Sequence, residues 1–233
     1  MKLGKNVKIA VSGLCIAATL AGAALPTLAV SPAGYTSLSQ IEEMNDADPA
    51  KVQAIKDALA NVKSSYDSES GSWELSSVYE DSEIESGRCY MMPWLNVDNG
   101  YNDISFGLLI MSQDNEGFYY WTKVDVLTDS IEKSNFTLSY ESKNVNRTYS
   151  EEDKNYSEIL AFIGNNSTID NLREALSHDR IYIRYNGNQV NNKRRNYTTL
   201  MDQENRQGIS DIIALYDLLN SATPEERSAA LNG

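Results

Sequence analysis

Four groups of residues in this chain have types and spacings that chemistry can use. Ser130-Ile131-Glu132-Lys133 has the Ser-x-x-Lys spacing by which a helical turn sets a lysine beside a serine nucleophile. The companion Ser-Asp-Asn and Lys-Thr-Gly elements are missing and the segment lies in a polar stretch between two strand patterns, so no acyl transferase is read from it. Glu74, Glu80, Asp81, Glu83 and Glu85 cluster in sequence, and glycoside cleavage needs only two acids about 5–10 Å apart across a sugar. In a chain with 33 acidic residues that signal has little selectivity. Asn96, Asp98, Gly100, Asn102 and Asp103 alternate like the start of a calcium loop, but Gly107 stands where the bidentate glutamate is required. A nucleophilic Cys89 would need a base, and the only histidine is His178. Cys89 is expected to be a buried, small apolar side chain. His178 is expected at a helix end, where an imidazole complements the partial negative charge. Catalytic residues therefore stay unassigned, and no metal or cofactor site is read.

Two strand faces offer binding chemistry instead. Tyr119 and Trp121 stand two residues apart, with Lys123 and Asp125 continuing the same face. Open to solvent, they are rigid apolar area for a partner or a sugar ring; covered by a helix, they are core. Arg180, Tyr182 and Arg184 form a second such face, followed closely by Lys193, Arg194 and Arg195. That positive cluster either binds an anionic group or pairs with the protein's own carboxylates. Tyr119, Trp121, Arg180, Tyr182 and Arg184 are the candidate binding residues.

The elements that must position them follow from periodicity. Asp48 caps and Pro49 opens a helix of about four turns, with Val52, Ile55, Leu59 and Val62 on one face. From about Trp73 to Tyr140 the period is two. Ile104, Phe106, Leu108 and Ile110 alternate with their neighbours, and the turn-rich 112–117 leads into a returning strand, which predicts a hairpin. Phe118, Tyr120, Val124 and Val126 are assigned to one face of that strand. A third strand, with Phe136, Leu138 and Tyr140 inward, completes an antiparallel meander. Ser167 or Thr168 is expected to cap a helix whose Ile169, Leu172 and Leu176 share a face, and Ile181, Ile183 and Tyr185 alternate against Tyr182 and Arg184 up to an expected turn at Asn186-Gly187. Ile209, Ile212, Ile213, Tyr216 and Leu219 predict a long helix over about 200–220, and Pro224 starts a short terminal one. The expected class is α+β, a mainly antiparallel sheet packed against an N-terminal and C-terminal helices.

Lys2, Lys5 and Lys8 precede an apolar run from Ile9 to Leu25, and Thr27-Leu28-Ala29 has the small residues of a cleavage site, so residues 1–29 are read as a signal peptide. Residues 30–45 read as a flexible leader and 46–233 as a single domain. After cleavage no stable membrane span is expected. The formal net charge is −13, and removing the first 29 residues removes only cations. Such a balance argues against nucleic acid, whose phosphates require a positive surface. One cysteine then remains, so no internal disulfide can form. The expectation is a secreted or extracytoplasmic, non-enzymatic protein binding an extracellular or envelope protein or a glycan. The alternative is a carboxylate-dependent hydrolase acting on envelope polymers.

Overall fold

The computed structural model describes residues 47–81, 89–129, 134–139, 144–190 and 193–233. The expected signal peptide and leader lie outside these residues. So do the Ser130–Lys133 motif, part of the acidic cluster and the side chains of Lys193, Arg194 and Arg195.

Helix α1 (Pro49–Leu59) begins where Asp48 accepts a hydrogen bond from the Ala50 amide and Pro49 takes the first helical position. It ends a turn earlier than its apolar stripe suggests. Val62 opens strand β1 (Val62–Asp67), which pairs antiparallel with β2 (Ser72–Ser77). A short 3₁₀ turn (Val78–Asp81) follows. Strands β3 (Cys89–Val97) and β4 (Ile104–Asp114) pair over nine residues. Then come β5 (Trp121–Thr128), β6 (Ser134–Ser139), β7 (Asn146–Ser150) and β8 (Asn155–Ile163). Helix α2 (Asn166–Leu176) carries a reciprocal capping box between Asn165 and Thr168. Strands β9 (Ile181–Val190) and β10 (Lys193–Leu200) precede the 19-residue helix α3 (Gln203–Ser221) and the terminal α4 (Pro224–Leu231).

The fold is α+β and antiparallel, but the strands form two sheets. One has the order β1-β2-β3-β4-β8-β7 and the other β10-β9-β5-β6. The predicted hairpin between β4 and β5 does not exist: the turn-rich stretch carries the chain from one sheet to the other. β4 finds its second partner in β8, and β5 finds one in β9. Nor does Asn186-Gly187 turn the chain. β9 runs through both residues, and Gly187 lies opposite Trp121.

The main core unites both sheets and all four helices. It includes Ile55, Leu75, Met91, Leu95, Leu108, Ile110, Trp121, Val124, Val126, Ile169, Leu172, Ile183, Tyr185, Ile209, Ile212 and Leu219. The apolar stripe predicted for α3 is inward as expected, with Tyr216 at its margin. β4 is apolar on both faces. Leu109 and Met111 join Tyr90 and Ile159 in a second cluster on the sheet's other side. Polar anchors tie the layers together: Tyr185 Oη donates to the Tyr90 carbonyl and Asn205 Nδ2 to that of Met91. Arg206 donates to the carbonyls of Leu176, His178 and Asp179, closing the C-terminal end of α2.

Candidate functional site

The five predicted binding residues do not converge. Trp121 is fully buried and Tyr119 retains 5 % exposure, so neither offers an open surface. A β-bulge causes the reversal. β5 pairs with β9 as Trp121↔Gly187, Lys123↔Asn186 and Val124↔Tyr185, leaving Thr122 as the extra residue. One inserted residue shifts the alternation, so Trp121 joins Val124 and Val126 on the inner face. Its indole packs against Tyr185 with ring centres 5.5 Å apart, and Nε1 donates to Ser112 Oγ at 2.7 Å.

Tyr182 and Arg184 lie on the outer face of β9 as expected and are half-buried. Their registers place Tyr182 between Leu127 and Leu200, and Arg184 between Asp125 and Thr198. Asp125 accepts hydrogen bonds from Thr137 and Asn186. Arg180, just before β9, lines a cleft of about 490 Å³ together with Leu176, Asp179, Leu200, Met201 and Arg206 among others. His178 falls beyond the end of α2, and its Nδ1 meets Asp129 Oδ2 at 2.7 Å, which holds the Asp129 carboxyl below its usual range.

The aromatic surface lies on the other sheet, around the hairpin of β7 and β8. Arg147 and Tyr149 project from β7 opposite Glu158 and Tyr156 of β8. Four residues, Glu151 to Lys154, make the turn, with Lys154 in the left-handed region at φ +50°. The Tyr149 and Tyr156 rings are 4.6 Å apart, Phe118 stands edge-on to Tyr156 at 5.0 Å, and Tyr120 packs against Phe118 at 5.5 Å. The Arg147 guanidinium lies 5.2 Å from the Tyr120 ring centre, within cation–π range. Tyr149 is 48 % exposed and Tyr120 37 %. Four rings and one cation thus form a continuous platform at the edge of the six-stranded sheet.

Its geometry depends on Glu158, which is 1 % exposed. Glu158 Oε2 accepts from the Tyr119 amide at 2.6 Å and the Tyr120 amide at 3.1 Å, while Oε1 accepts from Arg147 Nε at 2.9 Å. Tyr120 has φ +53°, a conformation that costs a residue with a Cβ about 1–2 kcal/mol. The left-handed residue turns the Tyr120 side chain outward while Tyr119 and Trp121 point in. Tyr119 is anchored by its hydroxyl, which donates to Asp114 Oδ2. Burial raises the pKa of Glu158 above the ordinary glutamate range, against the opposing pull of Arg147 and the two amides.

The same neighbourhood explains Cys89, buried as expected. Desolvation first, then the Glu158 and Asp114 charges, push its thiol well above its ordinary value, so it is held as an unreactive thiol. The loop resembling a calcium site is organised internally, with Asp98 Oδ1 accepting from the Asn102 and Asp103 amides. Among the described residues no group of three His, Cys, Asp or Glu side chains is placed to hold a metal ion, and no helix is long and apolar enough to cross a membrane.

Sequence reasoning missed the platform because β7 and β8 were not read as strands. The available signal was the pairing of Arg147 and Tyr149 with Tyr156 and Glu158 across a polar four-residue turn. Comparison of the chain with protein-family models, characterised proteins and solved structures returned no match.

Proposed function

We propose that this protein is exported and non-enzymatic, and that it binds an extracellular or envelope protein or a glycan through the platform of Phe118, Tyr120, Tyr149 and Tyr156. The observation that carries this reading is the exposure of Tyr120 and Tyr149 within one packed aromatic cluster. Tyrosines present rigid contact area with a polar tip and lose little rotamer freedom on binding. The left-handed backbone at Tyr120 supports it further, since strain held in place by surrounding structure concentrates at ligand contacts. The export half of the proposal rests on the N-terminal pattern of lysines, apolar run and small residues.

The test is capture by the immobilised full chain from the producing organism's culture supernatant and envelope fraction, with Tyr149→Ala as control. Tyr149 is half exposed on an edge strand and packs on Tyr156, so its truncation should cost about 0.5–1.5 kcal/mol, too little to unfold the chain. Capture of a defined protein or glycan that falls at least tenfold in Tyr149→Ala, measured at a temperature where both forms are fully folded, supports the proposal. Equal capture by both forms rules out the platform as the contact surface.

The raised pKa of Glu158 is the one observation that favours the hydrolase reading, because glycosidases use such a carboxyl as general acid. Yet Glu158 and Asp114 both commit acceptors to protein donors: Arg147 and two amides for the former, the Tyr119 hydroxyl and Glu116 amide for the latter. Hydrolysis of an envelope polymer that Asp114→Asn and Glu158→Gln each abolish would reverse this preference.

A further inference from the structure

We propose that Glu158 is the positioning residue of the aromatic platform, an acid-sensitive latch whose carboxylate holds Tyr120 and Arg147 in the arrangement that binds. The inference rests on the platform being the binding surface and adds its regulation. One carboxylate, almost sealed from solvent, gathers three donors from two separate pieces of chain: Arg147 Nε from β7, and the Tyr119 and Tyr120 amides from the segment entering β5. Both contacts lead directly to exposed parts of the platform. The two amides fix the backbone at a residue whose φ of +53° is unfavourable without them, and the guanidinium that Glu158 orients is the one lying over the Tyr120 ring. Removing the negative charge weakens all three bonds together, because hydrogen bonds to an ionised acceptor are about twice as strong as neutral ones.

The charged and titratable groups around the latch set its direction. Arg147 on β7 favours the carboxylate. Asp114 on β4, whose charge, like that of Glu158, acts on the Cys89 thiol of β3, adds negative charge to the same region and accepts the Tyr119 hydroxyl. Cys89 itself stays neutral. Burial is the largest influence and favours the protonated form, placing the transition above the ordinary glutamate value of about 4.3. Glu158 stays buried when the three bonds loosen, and without those donors its carboxyl is harder still to ionise, so acidification from neutral pH should release the latch even though protonation also favours the folded chain over the unfolded one.

The experiment is an amide and guanidinium NMR titration of the full chain from pH 8 to pH 4, with Glu158→Gln and Arg147→Met alongside. In the unmodified protein the Tyr119 and Tyr120 amides and the Arg147 Nε–H should shift together, with one midpoint above 4.3. Glu158→Gln should abolish that shared titration. Arg147→Met should move the midpoint of the two amides upward, which keeps the test valid if Glu158→Gln fails to fold. Amides that do not titrate, or that titrate unchanged in Glu158→Gln, overturn the latch. Capture, measured as in the preceding test, should fall at least fivefold across the same midpoint. Capture that persists undiminished below it overturns the regulatory role even if the amides titrate. Shared amide titration in a protein that captures nothing at pH 7 supports the latch as a conformational device and overturns the binding role of the platform.

Discussion

Of the three consecutive aromatic residues Tyr119, Tyr120 and Trp121, the first and last are buried and the middle one faces out, and the backbone decides between them. Tyr120 takes the left-handed conformation and faces out, while a bulge at Thr122 turns Trp121 to the inner face. A substitution at Trp121 therefore reports on the core. Trp121→Ala removes a fully buried indole together with the donor to Ser112 Oγ, so it should cost about 3–5 kcal/mol, read from urea denaturation. A cost below about 1 kcal/mol would show that the indole is not packed as described. The contrast with Tyr149→Ala, expected to lower binding at a much smaller cost in stability, separates the two aromatic populations. Alternation could not separate them, because an inserted residue leaves no mark in the residue types around it.

At the scale of elements, the helices were the most legible part of the chain. Asp48-Pro49 and Pro224 open their helices as read, whereas α2 is capped earlier than the expected Ser167 or Thr168, at Asn165, with Thr168 closing the capping box from inside the first turn. The burial alternation of β9 was legible too, as Ile181, Ile183 and Tyr185 are inward and Tyr182 and Arg184 outward. Strand partnership was not. β8 is buried on both faces for much of its length, with Leu160 in the main core and Ile159 in the second cluster, so it shows no clean alternation. Helix α3 illustrates a constraint visible only in the assembled layers. Gly208 is buried against β2, and a Cβ there would fall 2.3 Å from Ser77 Oγ and 3.0 Å from Ser77 Cβ. Gly208→Ala gains about 1 kcal/mol of helix propensity but overfills this contact, at a cost of about 1–3 kcal/mol. Net destabilisation is expected in chemical denaturation, with partial recovery on adding Ser77→Gly. Stabilisation by Gly208→Ala would show that helix and sheet can separate at no cost.

For the whole molecule, pH dependence gathers opposing contributions. Asp67, Asp129 and Glu226 are held below the ordinary carboxyl range, chiefly by the Ser70 hydroxyl, the His178 ring and the Thr223 amide. Their contribution is complete above the unfolded values of about 4 and is lost as pH falls through the folded ones. Glu158 runs the other way. Its contribution is complete below about 4.3 and is lost as pH rises through its raised folded value. Self-repulsion adds to the loss on the alkaline side, since the chain has an isoelectric point near 4.5 and a formal net charge of −13 at pH 7. Stability should therefore fall on the acid side, as Asp67, Asp129 and Glu226 protonate, and also on the alkaline side, as Glu158 ionises. A melting midpoint that climbs steadily from pH 4 to pH 7 would show that another group governs. At this scale the sequence by itself determined the α+β class, the positions of the helices and the acidic balance, because each depends on residues near one another in the chain or on composition alone. The tertiary structure decided that there are two sheets, that Trp121 is core, and that Phe118, Tyr120, Tyr149 and Tyr156 form one cluster with Arg147 over the Tyr120 ring. Those outcomes depend on pairing between distant segments and on a buried carboxylate reaching from β8 to the chain before β5, for which no local pattern of residues exists.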